Sequence, residues 1–274
     1  MSVAGREPTG PASASASSAP SAASAAAAPA GSAASGDAHA TPMSPEPRLG
    51  FDGIVGGYGS VVVVRGVSGA VAAGEVLCVI GRNGVGKSTL LKLLFGQLPC
   101  RAGSVRFEGR PIERVEASRR RALGIGYCPQ ERPVFDDLSV RDNLTLMRAD
   151  RRVEAFAPLF ARFPILKRRL AQHAGTLSGG EKKILSFARG LSEAQPLLLL
   201  DEPSEGVQWE NIVQMAEAIA AAKAGGAAFV VVEQNLAFAE LIADRYLVIE
   251  QGRVVLEGRR AEIGRDRLLG HLHV

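Results

Sequence analysis

The chain has 274 residues, 46% of them hydrophobic, and a formal net charge of +4. That length admits one large α/β domain or two small ones. The charge is too mild and too scattered to mark a nucleic-acid surface, and no run approaches the ~20 apolar residues that span a bilayer.

Residues 1–47 are mostly Ala, Ser, Pro and Gly, with Arg6 as the one strongly basic residue. Such a segment cannot bury enough surface to offset the entropy of ordering it, so a disordered tail is expected. It has neither the leucine-rich core of a secretory signal nor the arginines of a transit peptide. Residues 48–274 are then expected to form one compact domain. Cys78, Cys100 and Cys128 show no metal-ligand spacing and suggest a reducing cytoplasm.

From Phe51 to Val71 the composition favours strands, with Val61-Val62-Val63-Val64 read as a buried strand and Gly56-Gly57 as a turn. Tyr58 reads either as a strand aromatic or as a face for a nucleotide base. The apolar run Val76–Ile80 then meets Gly81-Arg82-Asn83-Gly84-Val85-Gly86-Lys87-Ser88-Thr89, followed by the helix-like Leu90-Leu91-Lys92-Leu93-Leu94. This is G-x-x-x-x-G-K-[ST] between a strand and a helix, the context in which it makes a phosphate cradle. Gly81, Gly84 and Gly86 let the backbone curl with its N–H groups turned inward, and the positive end of the helix dipole points into the concavity. Lys87 can reach outer phosphates, and the Ser88 hydroxyl is placed to ligate Mg²⁺.

A short strand over Gly103–Gly109, a basic helix around Arg119 and a strand over Gly124–Cys128 follow, with Pro129 leaving Gln130 on a loop. The clusters Arg119-Arg120-Arg121 and Lys167-Arg168-Arg169 are expected on solvated helix faces. Between Leu138 and Gln172 the apolar spacing is helical, through Val140, Leu144, Met147, Val153, Phe156, Leu159, Phe160 and Phe163, with Ser139 as N-cap. This helical insert spans about residues 133–176. Another helix opens at Thr176–Glu181. Leu197-Leu198-Leu199-Leu200 reads as a buried strand ending in Asp201-Glu202, where Asp201 can bind the shell of a Mg²⁺ ion and Glu202 can deprotonate a water. A helix through Ile212, Met215 and Ile219, a strand at Phe229–Val232 and a hairpin from Tyr246 to Leu256 close the chain. Alternating strands and helices imply an α/β fold with a mostly parallel sheet covered on both faces.

The run Leu177-Ser178-Gly179-Gly180-Glu181, with the cradle, Gln130 and Asp201-Glu202 in this order, resembles the ATP-binding cassette family, the ATPase subunits of ABC transporters. The resemblance extends from Leu49 to Val274. It implies a P-loop NTPase fold of ABC type, with an antiparallel β subdomain and a helical subdomain beside the parallel core sheet. It also implies ATP and Mg²⁺ as ligands: Tyr58 stacks on adenine, Asn83 and Thr89 lie in the cradle, and Ser88, Gln130 and Asp201 hold Mg²⁺. Glu202, Gln130 and Gln234 form the catalytic group. Ser178, Gly179 and Gly180 are implied to cap the nucleotide of an opposing subunit, so two ATPase subunits, identical or different, would pair head to tail. Transmembrane permease subunits and, indirectly, an extracytoplasmic solute-binding protein are the implied partners, at the cytoplasmic face of the plasma membrane; no nucleic acid is expected.

Two departures from the family pattern stand out. Gln234 occupies the place of the family's usual histidine, and Pro203–Gln208 lacks the aspartate common in the dimer-contact loop. V-E-Q-N, E-P-S-E-G-V-Q and Phe163-Pro164-Ile165-Leu166-Lys167 resemble ATPases of branched-chain amino-acid and urea or short-amide uptake. An export ATPase and a non-transport, nucleotide-switched cassette protein are the alternatives.

Overall fold

The computed structural model describes residues 46–146, 148, 149 and 151–272. Residues 1–45 of the expected tail lie outside it, as does Met147 of the insert. In chain order the first elements are β1 (Leu49–Gly56), β2 (Val64–Val71), β3 (Val76–Ile80), α1 (Lys87–Phe95), β4 (Ala102–Phe107), β5 (Arg110–Pro111), α2 (Ala117–Leu123) and β6 (Ile125–Cys128). The insert follows as α3 (Val140–Thr145), α4 (Ala157–Arg162) and α5 (Pro164–Arg168). The chain then runs through α6 (Gly179–Ser192), β7 (Leu197–Asp201), α7 (Trp209–Ala224), β8 (Ala228–Glu233), α8 (Leu236–Ile242), β9 (Arg245–Glu250), β10 (Arg253–Arg259) and α9 (Arg265–Leu272).

Two sheets organise the described residues. One has four antiparallel strands in the order β2-β1-β4-β5; the other has six, in the order β10-β9-β3-β8-β7-β6. Within the second, β10 alone runs antiparallel, paired with β9 as a hairpin, while the other five strands are parallel. The apolar runs Val76–Ile80 and Leu197–Leu200 are continuous because both faces of these strands are buried. Side chains alternate faces along a strand. Leu77, Val79, Leu197 and Leu199 therefore pack with α1 and the antiparallel sheet, and Cys78, Ile80, Leu198 and Leu200 pack with α6, α7 and α8.

Three expectations are corrected. Val61–Val64 is not a buried strand: β2 begins at Val64, and Val61 is 62% exposed. The backbone there is consumed by a turn, with Val61 N donating to Tyr58 O, Val63 N to Gly56 O, and the Arg101 guanidinium donating to the carbonyls of Gly59, Ser60 and Val61. Tyr58 accordingly sits on a loop, not in a strand. Second, Arg120 is buried rather than solvated. Its guanidinium donates to Leu93 O and Leu94 O at 2.9 and 2.8 Å, and to Val115 O and Glu113 O at 2.7 and 3.0 Å. It thus joins the last turn of α1, where Leu93 O also accepts from Gly96 N at 3.1 Å, to the loop that precedes α2. Third, the pattern between Leu138 and Gln172 is broken into short helices. Pro164 ends α4 and starts α5, because its ring blocks the helical bond that a continuous helix would need.

Candidate active site

The cradle begins where β3 stops. A side chain at Gly81 would place its Cβ 2.3 Å from Ile249 O, so only glycine lets the loop leave between β3 and β9. Gly84 and Gly86 adopt φ of 79° and 107°, and α1 starts directly after them. Lys87 is folded back over the loop and buried, its Nζ donating to Gly81 O at 2.8 Å and Arg82 O at 2.9 Å. Burial pulls its pKa below the ordinary lysine value, and the charge of Glu202 acts in the opposite direction.

Strand parity delivers the acids. Asp201 points to the same face as Leu197 and Leu199, toward α1, and accepts a 2.8 Å hydrogen bond from Ser88 Oγ. Burial pushes the Asp201 carboxyl up, and hydrogen bonds from Ser88 and Tyr127 pull it down. Glu202 turns out of the strand in a left-handed conformation, φ 48°, with its N–H donating to Val232 O at 3.0 Å. That backbone costs about 1–2 kcal/mol in a residue with a Cβ. It sets the carboxylate between two partners: Lys87 Nζ lies 3.6 Å from Oε1, and Gln130 Nε2 donates to Oε2 at 2.7 Å. Gln130 Nε2 also donates to Glu205 Oε2 at 3.2 Å.

These groups open onto one cleft of about 830 Å³, within the range of small-molecule sites. Asn83, Gly84, Gly86, Lys87, Ser88 and Thr89 form its floor. Gln130, Glu202 and Gln234 also line it, as does Tyr58, 45% exposed, with Lys92 Nζ 5.7 Å from its ring centre. Gly81 and Asp201 lie behind this lining.

The remaining group lines a different cleft. Ser178 and Gly180 line a separate cleft of about 360 Å³, together with Gly206 and Gln208. Ser178 caps α6: its Oγ accepts from Glu181 N at 3.3 Å, while Glu181 Oε2 accepts from Ser178 N at 2.8 Å. A Cβ on Gly180 would sit 2.4 Å from Gly206 O, whereas one on Gly179 would meet nothing within 4 Å. Gly206 lines both clefts, so the helix start and the cradle open onto neighbouring clefts that meet at this residue.

Three side chains that the sequence reading passed over complete the surroundings. Glu233, 2% exposed at the end of β8, accepts from the backbone N–H groups of Ser204, Gln234 and Asn235 at 3.0–3.1 Å, tying two cleft loops together. Burial pushes its carboxyl above the usual carboxylate range, against those hydrogen bonds. The signal was an acid closing a fully apolar strand, the same pattern that singled out Asp201. Tyr127 stacks on Phe95 with centroids 5.0 Å apart and donates from its OH to Asp201 Oδ2 at 3.2 Å. Lys183 Nζ donates to Glu202 O at 3.1 Å. Neither of these last two has a signature in the sequence.

Comparison with known proteins matches residues 64–205 to the family described as ABC transporter. The high-affinity branched-chain amino acid transport ATP-binding protein BraG of Pseudomonas aeruginosa is 38% identical over 78% of this chain and 94% of its own. The Nod factor export ATP-binding protein I of Burkholderia orbicola is 34% identical over 82% of this chain and 76% of its own. Among solved structures, the ADP conformation of an ATP-binding cassette of an ABC transporter superposes with a TM-score of 0.68 and 26% identity, covering 82% of this chain and 94% of that one.

Proposed function

The chain belongs to the ABC transporter ATPase family, and from that premise we propose that it is the ATP-hydrolysing subunit of an importer of branched-chain amino acids or of urea and short amides. ABC ATPase subunits bind ATP, hydrolyse it and work with transmembrane permeases. The observation that carries the reaction is the contact set at the base of the cleft, in which Ser88 meets Asp201 while Lys87 and Gln130 flank Glu202. Import is favoured by the likeness to BraG over nearly the whole of that protein.

In this reading the N–H groups of the cradle and the helix dipole of α1 bind the phosphates, with Lys87 as the fixed cation. Ser88 Oγ and Asp201 Oδ1, 2.8 Å apart, are hard oxygen donors of the kind Mg²⁺ takes. With Gln130 they would hold the ion, which when bound neutralises charge on the transferred phosphoryl group. Glu202 orients and deprotonates the attacking water, and Gln130 holds its carboxylate in place. Gln234 contributes a hydrogen bond to the γ-phosphate without a proton that titrates near neutral pH. Tyr58 offers its exposed ring to the adenine. Ser178, Gly179 and Gly180, being outside their own cradle, act on the nucleotide of a second ATPase subunit, identical or different, in a head-to-tail pair.

No helix among the described residues is long and apolar enough to cross a membrane. The proposed seat is peripheral, on permease subunits at the cytoplasmic face, docked through the insert. An extracytoplasmic binding protein would deliver the solute.

Export is the second reading, favoured by the relatives named for Nod factor export. Uptake of radiolabelled leucine and of urea, in cells lacking the gene and in cells carrying Glu202→Gln, separates the two. Loss of either uptake supports import. Normal uptake of both with a lost efflux phenotype supports export.

A further inference from the structure

The helix start at Ser178 carries an acid where an anion is to be received. Glu181 is in the first turn of α6, and its Oε2 is engaged by Ser178 N. Its other oxygen, Oε1, lies 3.1 Å from Arg169 Nη2. Arg169 follows α5 directly, and its Nη1 donates to Gln172 Oε1 at 3.3 Å. The same segment is laced to the start of α3: Arg141 N donates to Leu170 O at 3.0 Å, Val140 N to Gln172 O and Ala174 N to Leu138 O, both at 2.9 Å. A side chain anchored in the helical insert therefore holds the far side of the carboxylate that caps the signature helix.

Electrostatics gives that contact a consequence. A helix N-terminus attracts phosphate through its free N–H groups and its dipole, and an unpaired carboxylate in the first turn cancels much of that attraction. A guanidinium bound to the carboxylate removes the cancellation and leaves its second oxygen free to cap Ser178. We infer that Arg169 is a positioning residue: by neutralising and orienting Glu181 it makes the Ser178 helix start fit to receive the phosphate presented by an opposing subunit. The inference rests on the reading of Ser178–Gly180 as the element that completes a second subunit's site. It also gives the insert, the proposed docking surface for the permease, a direct ionic link to that element.

The test measures ATP-dependent pairing of the full chain in a Glu202→Gln background by light scattering, with itself or with the ATPase subunit it co-purifies with. ATP affinity of the unpaired chain is measured alongside. Arg169→Ala is expected to weaken pairing about tenfold, the scale of one lost charge-assisted contact, with ATP affinity of the unpaired chain unchanged. Arg169→Lys should be intermediate. Adding Glu181→Gln to Arg169→Ala should restore most of the loss, since glutamine keeps an acceptor for Ser178 N and drops the charge; a purely structural brace would not be rescued this way. Pairing by Arg169→Ala equal to that of its parent overturns the inference, and so does a loss that Glu181→Gln fails to repair. If Ser178→Ala pairs as well as its parent, the reading of the signature itself fails and the inference goes with it.

Discussion

The Ser88 hydroxyl donates a 2.8 Å hydrogen bond to Asp201 Oδ1, joining the first turn of α1 to the last residue of β7. Residues far apart in sequence thus share one pair of oxygens at the base of the cradle. Ser88→Ala removes one of them and leaves Asp201 buried with Tyr127 as its remaining hydroxyl donor. We expect the Mg²⁺ concentration for half-maximal hydrolysis to rise at least about tenfold, the effect of losing a ligand-orienting group. A Mg²⁺ titration of ATPase rate checks this; an unshifted midpoint would remove Ser88 from the ion's shell.

Glu202→Gln keeps the shape of the side chain between Lys87 and Gln130 but cannot take a proton. Removal of a positioned general base should lower kcat about 10²–10⁴-fold, with ATP affinity little changed. Single-turnover hydrolysis set beside equilibrium ATP binding is the measurement. Equal losses in both would mean that Glu202 serves binding and not the chemical step.

Arg120 supports the cradle from the other end of its helix. Arg120→Met would fill much of the space while removing the guanidinium donor from the carbonyls of Leu94, Val115 and Glu113 and leaving Leu93 O with Gly96 N. The expected loss is about 2–4 kcal/mol, since each orphaned buried acceptor costs about 1–3 kcal/mol and relaxation to water recovers part. Urea denaturation measures it. A change within 0.5 kcal/mol, roughly what an ordinary surface substitution does, would place Arg120 back on a solvated face.

Glu233 makes stability depend on pH. Its folded pKa is raised by burial, so the folded chain holds its proton more tightly than the unfolded one. That contribution is fully present below the ordinary carboxylate pKa of about 4.3 and is lost as pH rises through the raised folded value. Glu233→Gln cannot ionise, so the stability difference between variant and parent should swing in the variant's favour from pH 4.5 to pH 8. Denaturation at both ends of that window tests it. A difference that stays constant with pH would show that the three backbone N–H donors offset the burial completely.

Much of the fold follows from patterns that need only neighbours in the chain. Four leucines before Asp201, five apolar residues before Gly81 and the Ser178-to-Glu181 cap each announce their element, because a strand buried on both faces must be apolar throughout and a helix start must satisfy its free N–H groups. The cradle is legible for the same reason: glycine spacing and Lys-Ser are local requirements of a loop that wraps phosphate. Val61–Val64 misleads because β-branched residues suit a strand, whereas tertiary contacts to Arg101 and Gly56 take up the backbone groups a strand would need.

What the sequence by itself determined is the set of elements and the chemical types at their ends. Only the tertiary structure decided which ends meet. Parallel strand order brings Asp201 under Ser88 and Glu202 beside Gln130. The same packing folds Arg120 inward onto α1 and sets Ser178 in a different cleft from Lys87. Hydrogen bonds between residues far apart in the chain leave no periodic trace, since each needs only one donor and one acceptor and the fold supplies the distance.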